Sequence, residues 1–206
     1  MKPLGLWYKN IDMCPNFCIL YLENTELTEC RICEHARYIS RIGKGMTLVA
    51  YRKFRYFSIT PTLQRLFISP KTTKHIAWHH LYNMVDRVMV HSFDGEAWKH
   101  FNRVHPQSSV ESRNMHLGLC TDKFIPFKLF VAPYYCWSAI LAVYNLAPRI
   151  CMRSEFMFLS MVIPDPNSPI QNIDVYLHPL IDELKELWLS KALTYNVSRK
   201  QNFRWR

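Results

Sequence analysis

The chain is 206 residues long, 49% of them hydrophobic and 20% charged, with a formal net charge of +10. This length and apolar content fit one or two globular domains and exclude a wholly disordered chain. No apolar run reaches the roughly 18 residues of a membrane helix, and the N-terminus lacks the apolar region and cleavage site of a secretory signal. We therefore expect neither a membrane span nor secretion.

Four of the seven cysteines form two close pairs near the start of the chain, Cys14 with Cys18 and Cys30 with Cys33. This spacing is typical of two tight turns that together hold one tetrahedral Zn²⁺. Four thiolates leave no open position on the metal, so such a zinc would be structural. Disulfides and unligated core cysteines are the alternatives, and Glu34 stands where a metal-binding turn often has glycine.

The remaining cysteines, Cys120, Cys136 and Cys151, lie among apolar residues and are predicted to be core residues. By their spacing His75 and His79 share a helix face, but no Glu follows His75, which excludes the protease-type zinc motif. We interpret these histidines as surface or core-edge residues.

The positive charge is concentrated in two segments. Residues 31–75 carry 10 basic and 1 acidic side chain, and residues 191–206 carry 5 basic and no acidic ones. Aromatic residues are interleaved with the first segment, a pattern typical of surfaces that contact nucleic-acid phosphates. An ordinary solvated surface and, less well supported, a membrane surface are the alternatives. The residues predicted to contact DNA are Arg52, Lys53, Arg55, Arg65, Lys71 and Lys74.

Residues 46–106 are predicted to form a mainly helical region. Its first part, residues 52–59, alternates as a strand with a basic face. A helix should begin at Thr60 and Pro61, which suit the N-cap and the first helical position. Helical stretches over residues 72–84 and 94–102 follow.

Beyond residue 106 the pattern predicts three strands and a helix. The strands are expected at residues 115–122, 137–144 and 156–163, and the first of them ends at Asp122. The helix should open at His178-Pro179, with Asp182 and Glu183 in its first turn, where the helix dipole favours carboxylates. Residues 191–206 are polar and basic, and we expect them to be a disordered tail.

Five strings occur in order along the chain: MCPNFC (13–18), YFSITPTLQRLF (56–67), FDGEAWKHF (93–101), LGLCTD (117–122) and IDVYLHPLIDELKELW (173–188). Together they resemble the plant CACTA-type (En/Spm) DNA transposase family, a group of cut-and-paste transposases. The similarity runs collinearly from about Ile11 to Trp188.

The resemblance implies a Cys-rich segment followed by a nuclease domain of ribonuclease-H-like fold. In that family an acidic triad binds two Mg²⁺ ions that cut and join DNA strands, and Asp122 aligns with the first triad member. The resemblance also implies DNA as the partner, at transposon ends, with other transposase chains as further partners, and a nuclear location.

This chain departs from the family pattern in two ways. Lys123 replaces a glycine next to Asp122, which places a cation beside a proposed metal ligand. The chain also ends before the strand that should bear the next acidic residue, and Asp174, Asp182 and Glu183 are not predicted to replace it. Two-metal chemistry requires several carboxylates around both ions. We therefore expect Mg²⁺ not to be bound productively here.

These patterns predict an α+β protein in four segments: a four-cysteine zinc-binding segment at 1–45, a basic DNA-contacting region at 46–106, a partial ribonuclease-H-like domain at 107–190 and a tail at 191–206. The predicted function is that of a transposase-derived DNA-binding protein, truncated and catalytically inactive by itself. A non-enzymatic, zinc-dependent nucleic-acid-binding or interaction module is the alternative. Whether the chain is an enzyme stays open at the level of sequence.

Overall fold

The computed structural model describes residues 7–39, 48–82, 88–126, 135–164 and 172–206. It is a mixed α+β structure that divides into two compact units. The first unit consists of Met1–Ser58, Thr121–Ala139 and Leu159–Ile181, and the second of Ile59–Cys120, Ile140–Phe158 and Asp182–Arg206. The units interleave along the chain, and the segment boundaries predicted from sequence stay predictions.

The described strands and helices are short, apart from one long helix near the C-terminus. The strands are β1 (Lys9–Met13), β2 (Tyr38–Ile39), β3 (Val49–Ala50), β4 (Arg52–Tyr56), β5 (Leu117–Phe124), β6 (Cys136–Val143), β7 (Met157–Pro164), β8 (Ala192–Asn196) and β9 (Gln201–Trp205). The helices are α1 (Ile59–Arg65), α2 (Pro70–Ile76), α3 (Trp78–Leu81), α4 (Glu96–Val104), α5 (Pro106–Ser109), α6 (Pro148–Cys151) and α7 (Ile173–Ser190), with 3₁₀ turns at Ser92–Asp94 and Ser154–Phe156.

A five-stranded sheet has the strand order β1-β4-β7-β6-β5. Strand β4 runs antiparallel to β1, with Phe54 opposite Ile11, and antiparallel to β7, with Arg55 opposite Val162. Because side chains alternate between the faces of a strand, Phe54 is buried while Lys53 and Arg55 are exposed. The basic strand predicted from residue 52 is thus present, although it ends at residue 56.

Strand β5 lies at an edge of this sheet and begins and ends two residues later than predicted. It runs antiparallel to β6, because Tyr144 N donates to His116 O at 2.9 Å and Ser138 Oγ donates to Asp122 O at 3.4 Å. Most of its side chains are exposed. Cys120 is among them, so the prediction that it is a core residue was wrong; an edge strand leaves that side chain uncovered.

Helix α7 begins at Ile173, six residues before the predicted start. Pro179 therefore lies inside the helix and not at its first position, and Asp182 and Glu183 lie past its first turn. Asp174, which precedes the predicted helix start, is the acidic residue of that first turn. An interior proline removes one helix hydrogen bond and its ring crowds the carbonyl four residues earlier, at a cost of roughly 3 kcal/mol, so the rest of this long helix must offset that cost.

Glu183 caps another helix. Its carboxylate accepts hydrogen bonds from Ile59 N at 3.2 Å, Thr60 N at 2.8 Å and Thr60 Oγ1 at 2.6 Å. These backbone groups are among the first donors of α1, which have no partner within their own helix. A carboxylate at this end is also favoured by the helix dipole. Thr60 was predicted to cap α1 itself, but the cap comes from a residue far along the chain.

The predicted helical stretch at 72–84 consists of two helices, α2 and α3, separated by Ala77. Its last residues lie outside the described part of the chain. The stretch predicted at 94–102 corresponds to α4, preceded by a turn in which Asp94 Oδ2 accepts hydrogen bonds from Val90 N and His91 N, both at 3.0 Å. Within the described residues, no helix combines the length and apolarity that spanning a membrane requires.

Residues 192–205 form an ordered hairpin, so the expectation of a disordered tail was wrong. Strands β8 and β9 pair antiparallel, with Thr194 opposite Phe203. Trp205 is fully buried, and its Nε1 donates to Thr194 Oγ1 at 2.7 Å. The Phe203 ring lies 4.9 Å from that of Phe67. Apolar residues at every second position of β9 give the hairpin a buried face, which outweighs the polar composition of the segment.

We predict that Trp205→Ala lowers the free energy of unfolding by about 3–5 kcal/mol, because the change leaves a cavity and an unpaired Thr194 hydroxyl. Urea unfolding followed by circular dichroism measures the change. Leu193→Ala is the matched control, since this hairpin residue is 55% exposed and should shift stability by only about 0.5 kcal/mol. Equal effects of the two substitutions would show that the buried side of the hairpin does not stabilise the fold.

Candidate functional site

The four predicted metal ligands come together in space. The sulfurs of Cys14, Cys18, Cys30 and Cys33 all lie within 4.8 Å of one another, and those of Cys14 and Cys33 are 3.4 Å apart. All four are free thiols and none forms a disulfide. Two are buried and two are partly exposed, so the cluster lies just beneath the surface of the first unit.

Two similar tight turns present these sulfurs. In the first, Phe17 N donates to Cys14 O at 2.9 Å, and the N–H of Asn16 points at Cys14 Sγ at 3.4 Å. In the second, Glu34 N donates to Cys30 O at 2.8 Å, and the N–H of Ile32 points at Cys30 Sγ at 3.5 Å. Backbone N–H groups directed at sulfur stabilise thiolates, which are the form that binds metal.

Each turn ends on a residue in the left-handed region, Phe17 with φ 60° and Glu34 with φ 56°. This region costs a residue other than glycine roughly 1–2 kcal/mol. The sequence pattern made Glu34 an argument against a metal-binding turn, yet the backbone there adopts the conformation that glycine would favour. The surrounding contacts must therefore compensate the strain.

A buried ion pair supports the connection between the two turns. Arg37 Nε and Nη2 donate to Asp12 Oδ2 at 3.0 and 2.8 Å, and its Nη1 donates to Thr25 O at 2.7 Å. The guanidinium also lies 4.6 Å from the ring centroid of Tyr21. Sequence analysis counted Arg37 among the surface charges; its burial depends on the fold, and no spacing rule would have revealed it.

Electrostatics in the cluster favour a bound cation. Burial raises the pKa of Cys14 to about 11 and, together with the neighbouring cysteines, raises the pKa of Cys18. Burial also acts to raise the pKa of Cys33, but hydrogen bonds from His35 N, the Asn16 amide and other cysteines lower it to about 6. One thiolate is therefore ready at neutral pH, and a divalent metal would supply the charge that the others need to lose their protons.

The donor set fits a structural zinc ion. Zn–S bonds of about 2.3 Å in a tetrahedron place the sulfurs about 3.8 Å apart, close to the spacing that the free thiols already have. Cys14 and Cys30 also belong to a small apolar cluster with Ile19 and Tyr21, against which Leu27 packs. A metal bound there would tie together a stretch with little regular secondary structure and a small core.

Asp122, predicted to be the first catalytic acid, lies within β5 and is exposed. Its Oδ1 accepts a hydrogen bond from Lys123 N at 2.7 Å. The Lys123 ammonium lies 3.7 Å from the ring centroid of Tyr135, which holds that cation near the strand. In the described part of the chain, the cysteine cluster is the one group of three or more ligand side chains close enough to share a metal, and Asp122 is not in it.

The six predicted DNA-contacting residues do not form one continuous stretch of structure. Arg52, Lys53 and Arg55 lie on β4 in the first unit, and the Arg52 guanidinium lies 4.5 Å from the ring centroid of Phe17. The other three residues are exposed and lie on helices α1 and α2 of the second unit: Arg65, Lys71 and Lys74.

Sequence analysis also missed an aromatic cavity of about 510 Å³ in the second unit. Trp98 stacks on His116 with ring centroids 3.7 Å apart, and both rings line the cavity beside the buried His79. Burial lowers the pKa of His116 to about 4 and also lowers the pKa of His79, so both rings are neutral at pH 7. His79 is therefore a buried residue, where the sequence indicated the surface or core edge.

Residues 86–206, more than half of the chain, match the sequence model of the transposase family tnp2. The chain belongs to this transposase family. The matched region includes Asp122, the helix α7 and the hairpin, whereas the cysteine cluster precedes it, so the metal centre rests on its geometry alone. Neither the curated proteins nor the solved structures contain a match.

We predict that the purified chain binds about one Zn²⁺ through the four-cysteine cluster and that Cys30→Ser abolishes tight binding. Elemental analysis after gel filtration measures the stoichiometry. Binding should weaken as the pH falls, because Cys14 and Cys18, whose pKa values are raised, must lose protons to bind the metal. The decline should become steeper below about pH 6, where protons also compete for the Cys33 thiolate, whose pKa lies near that value. Cys120→Ser, an exposed cysteine outside the cluster, is the control and should keep its zinc. A metal-free wild-type protein would contradict the assignment.

Proposed function

We propose that this chain is the zinc-containing, DNA-binding part of a plant CACTA-type (En/Spm) cut-and-paste transposase, acting in the nucleus on transposon ends. The observation that carries the proposal is the transposase family match over residues 86–206, which includes the LGLCTD string ending in Asp122. Other transposase chains are its expected protein partners.

We further propose that β5, β6 and β7 are the first strands of a ribonuclease-H-like sheet. They are consecutive in the chain and neighbours in the sheet, in the order β7-β6-β5, and a long helix, α7, follows them. Consecutive antiparallel strands followed by a helix are what that fold requires at its start. In the described residues β8 pairs with β9 and not with β5, so the sheet edge beside Asp122 carries no further strand there.

DNA binding is supported by the family and by the distribution of charge. Lys53 and Arg55 project from the same face of β4, away from the buried Phe54 between them. Exposed cations on one face of a strand can contact successive phosphates without reading base sequence. The expected interaction is therefore salt-sensitive and weakly sequence-specific.

Catalysis by this chain alone is not expected. Asp122 offers an exposed carboxylate whose Oδ1 already accepts a backbone hydrogen bond, and among the described residues it belongs to no group of ligand side chains close enough to share a metal. Mg²⁺ dehydrates reluctantly and needs several well-placed oxygen ligands. If the chain proves inert toward DNA strands but binds DNA and zinc, the alternative of a non-enzymatic nucleic-acid-binding module describes its biochemistry equally well.

We predict that Lys53→Gln combined with Arg55→Gln weakens duplex DNA binding and lowers the slope of log affinity against log salt by about 1.8, or about 0.9 for each lost phosphate contact. Fluorescence anisotropy over a salt series measures both quantities. Lys185→Gln is a control, because this exposed lysine on α7 already pairs with Asp182 at 3.5 Å. Unchanged affinity and slope in the double variant would show that the basic face of β4 is merely solvated.

We predict that the purified chain does not nick supercoiled plasmid in Mg²⁺ or Mn²⁺, because Asp122 alone cannot position two metal ions. Agarose gels of plasmid incubated with wild type and Asp122→Ala measure the outcome. Metal-dependent nicking by wild type that disappears in Asp122→Ala would overturn the prediction and identify Asp122 as part of a complete active site. Nicking shared equally by both proteins would indicate a contaminating nuclease.

A further inference from the structure

The hairpin β8–β9 presents one face to the protein and the other to solvent. Phe203 and Trp205 are buried on its inner side, while the side chains between them alternate outward. We call the exposed side chains of its outer side and turn the hairpin face; they are Leu193, Tyr195, Ser198, Arg199, Lys200, Asn202 and Arg204. Tyr195 and Asn202 lie directly opposite each other in the ladder.

The hairpin is held firmly within the second unit. Val197 N donates to Phe67 O at 3.1 Å, and Gln64 Nε2 donates to Leu193 O at 3.0 Å. At the other end of the hairpin, Arg206 N donates to Asn114 Oδ1 at 2.9 Å, and Arg206 O accepts from Met115 N at 2.8 Å. A two-stranded hairpin is marginally stable by itself, so these contacts fix its outer face in one orientation.

The hairpin face is strongly basic. Of the five basic side chains in residues 191–206, three belong to this face, Arg199, Lys200 and Arg204, and the segment contains no acidic residue. The pKa of the Glu111 carboxyl is lowered mainly by Arg113, whose Nε and Nη2 donate to the carboxylate at 2.6 Å each. The positive charge of Arg199 lowers it by a smaller amount. Glu111 is thus already engaged, and the positive charge of the hairpin face is available to an anionic partner.

The shape of the hairpin suits duplex DNA. A strand of five residues is about 17 Å long, and two paired strands lie about 4.8 Å apart. The major groove of B-DNA, about 12 Å wide, admits a two-stranded ribbon of this size. Arginine and lysine at the turn can contact phosphates, and Asn202 carries an amide of the kind that pairs with adenine edges.

We propose that β8–β9 is a DNA-binding ribbon that enters the major groove with its hairpin face. The inference rests on the proposed DNA-binding function and goes beyond it by assigning a surface that sequence analysis took for a disordered tail. The ribbon contacts Phe67, which lies between the predicted DNA-contacting residues Arg65 and Lys71 in the chain. The second unit thereby brings basic residues from two distant parts of the sequence onto adjoining elements.

The test compares two variants of the full chain that each lose two positive charges from the second unit. One is Arg199→Gln with Lys200→Gln in the hairpin turn. The matched control is Lys99→Gln with Arg103→Gln on α4, two exposed residues that pair with Glu96 at 3.3 and 3.8 Å. Binding to a fluorescein-labelled duplex DNA of about 30 base pairs is measured by anisotropy from about 50 to about 300 mM NaCl, with circular dichroism confirming the fold of each variant.

The hairpin variant should bind at least about tenfold more weakly at about 100 mM salt and lose about 1.8 from the log–log salt slope, whereas the control should change by less than about threefold. Asn202→Ala should weaken DNA binding further while leaving the salt slope unchanged, because an amide releases no counterions. Duplex RNA of the same length should bind more weakly than DNA, since its major groove is too narrow for a ribbon.

Three results would overturn the inference. If wild type binds DNA and the hairpin variant binds equally well, the hairpin face is only solvated surface, while the proposed DNA-binding function stands. If the control loses as much affinity as the hairpin variant, the effect is one of net charge and not of this surface. If wild type fails to bind DNA at all, the proposed function and this inference fall together.

Discussion

The structure of residues 12–37 is arranged around four cysteine sulfurs that lie within 4.8 Å of one another. Free thiols at this spacing give little attraction, and as thiolates they would repel strongly at short range in a partly buried site. The turns around them are nevertheless fully formed, with two residues in the left-handed region and a buried Arg37–Asp12 pair behind them. A divalent metal would make this arrangement favourable, because it would convert the repulsion among thiolates into coordination.

The sheet shows why membership of a transposase family does not by itself describe what this chain does. Asp122 lies on the edge strand β5 and is exposed. Metal chemistry at that point needs further carboxylates, and two of the acidic residues that follow have other roles in the described structure. Asp174 lies in the first turn of α7, while Glu183 caps α1. Among the described residues, Asp122 therefore has no group of carboxylates with which to share a metal.

The alternation of side chains along a strand determines where the basic residues of β4 and β9 lie. Along β4 and along β9 an apolar residue alternates with a basic or polar one, so packing the apolar face forces the cations outward. In this way a sequence with an excess of positive charge gives two exposed basic faces, one in each unit. Each strand also has a buried aromatic residue, Phe54 in β4 and Trp205 in β9. These buried rings fix the strands in place, so the cations project from rigid elements.

Local spacing and alternation were enough to predict the pairing of the cysteines, the strands around residues 52, 117, 136 and 157, and the helix α4. The burial of Arg37, the cap that Glu183 provides for α1 and the hairpin at residues 192–205 became apparent only from the folded structure. The last two depend on groups more than a hundred residues away, and such contacts leave no periodic signal. Pro179 led to a helix start that was too late, and the basic composition of residues 191–206 led to the wrong prediction of a disordered tail. In both cases packing against distant elements outweighed local propensity.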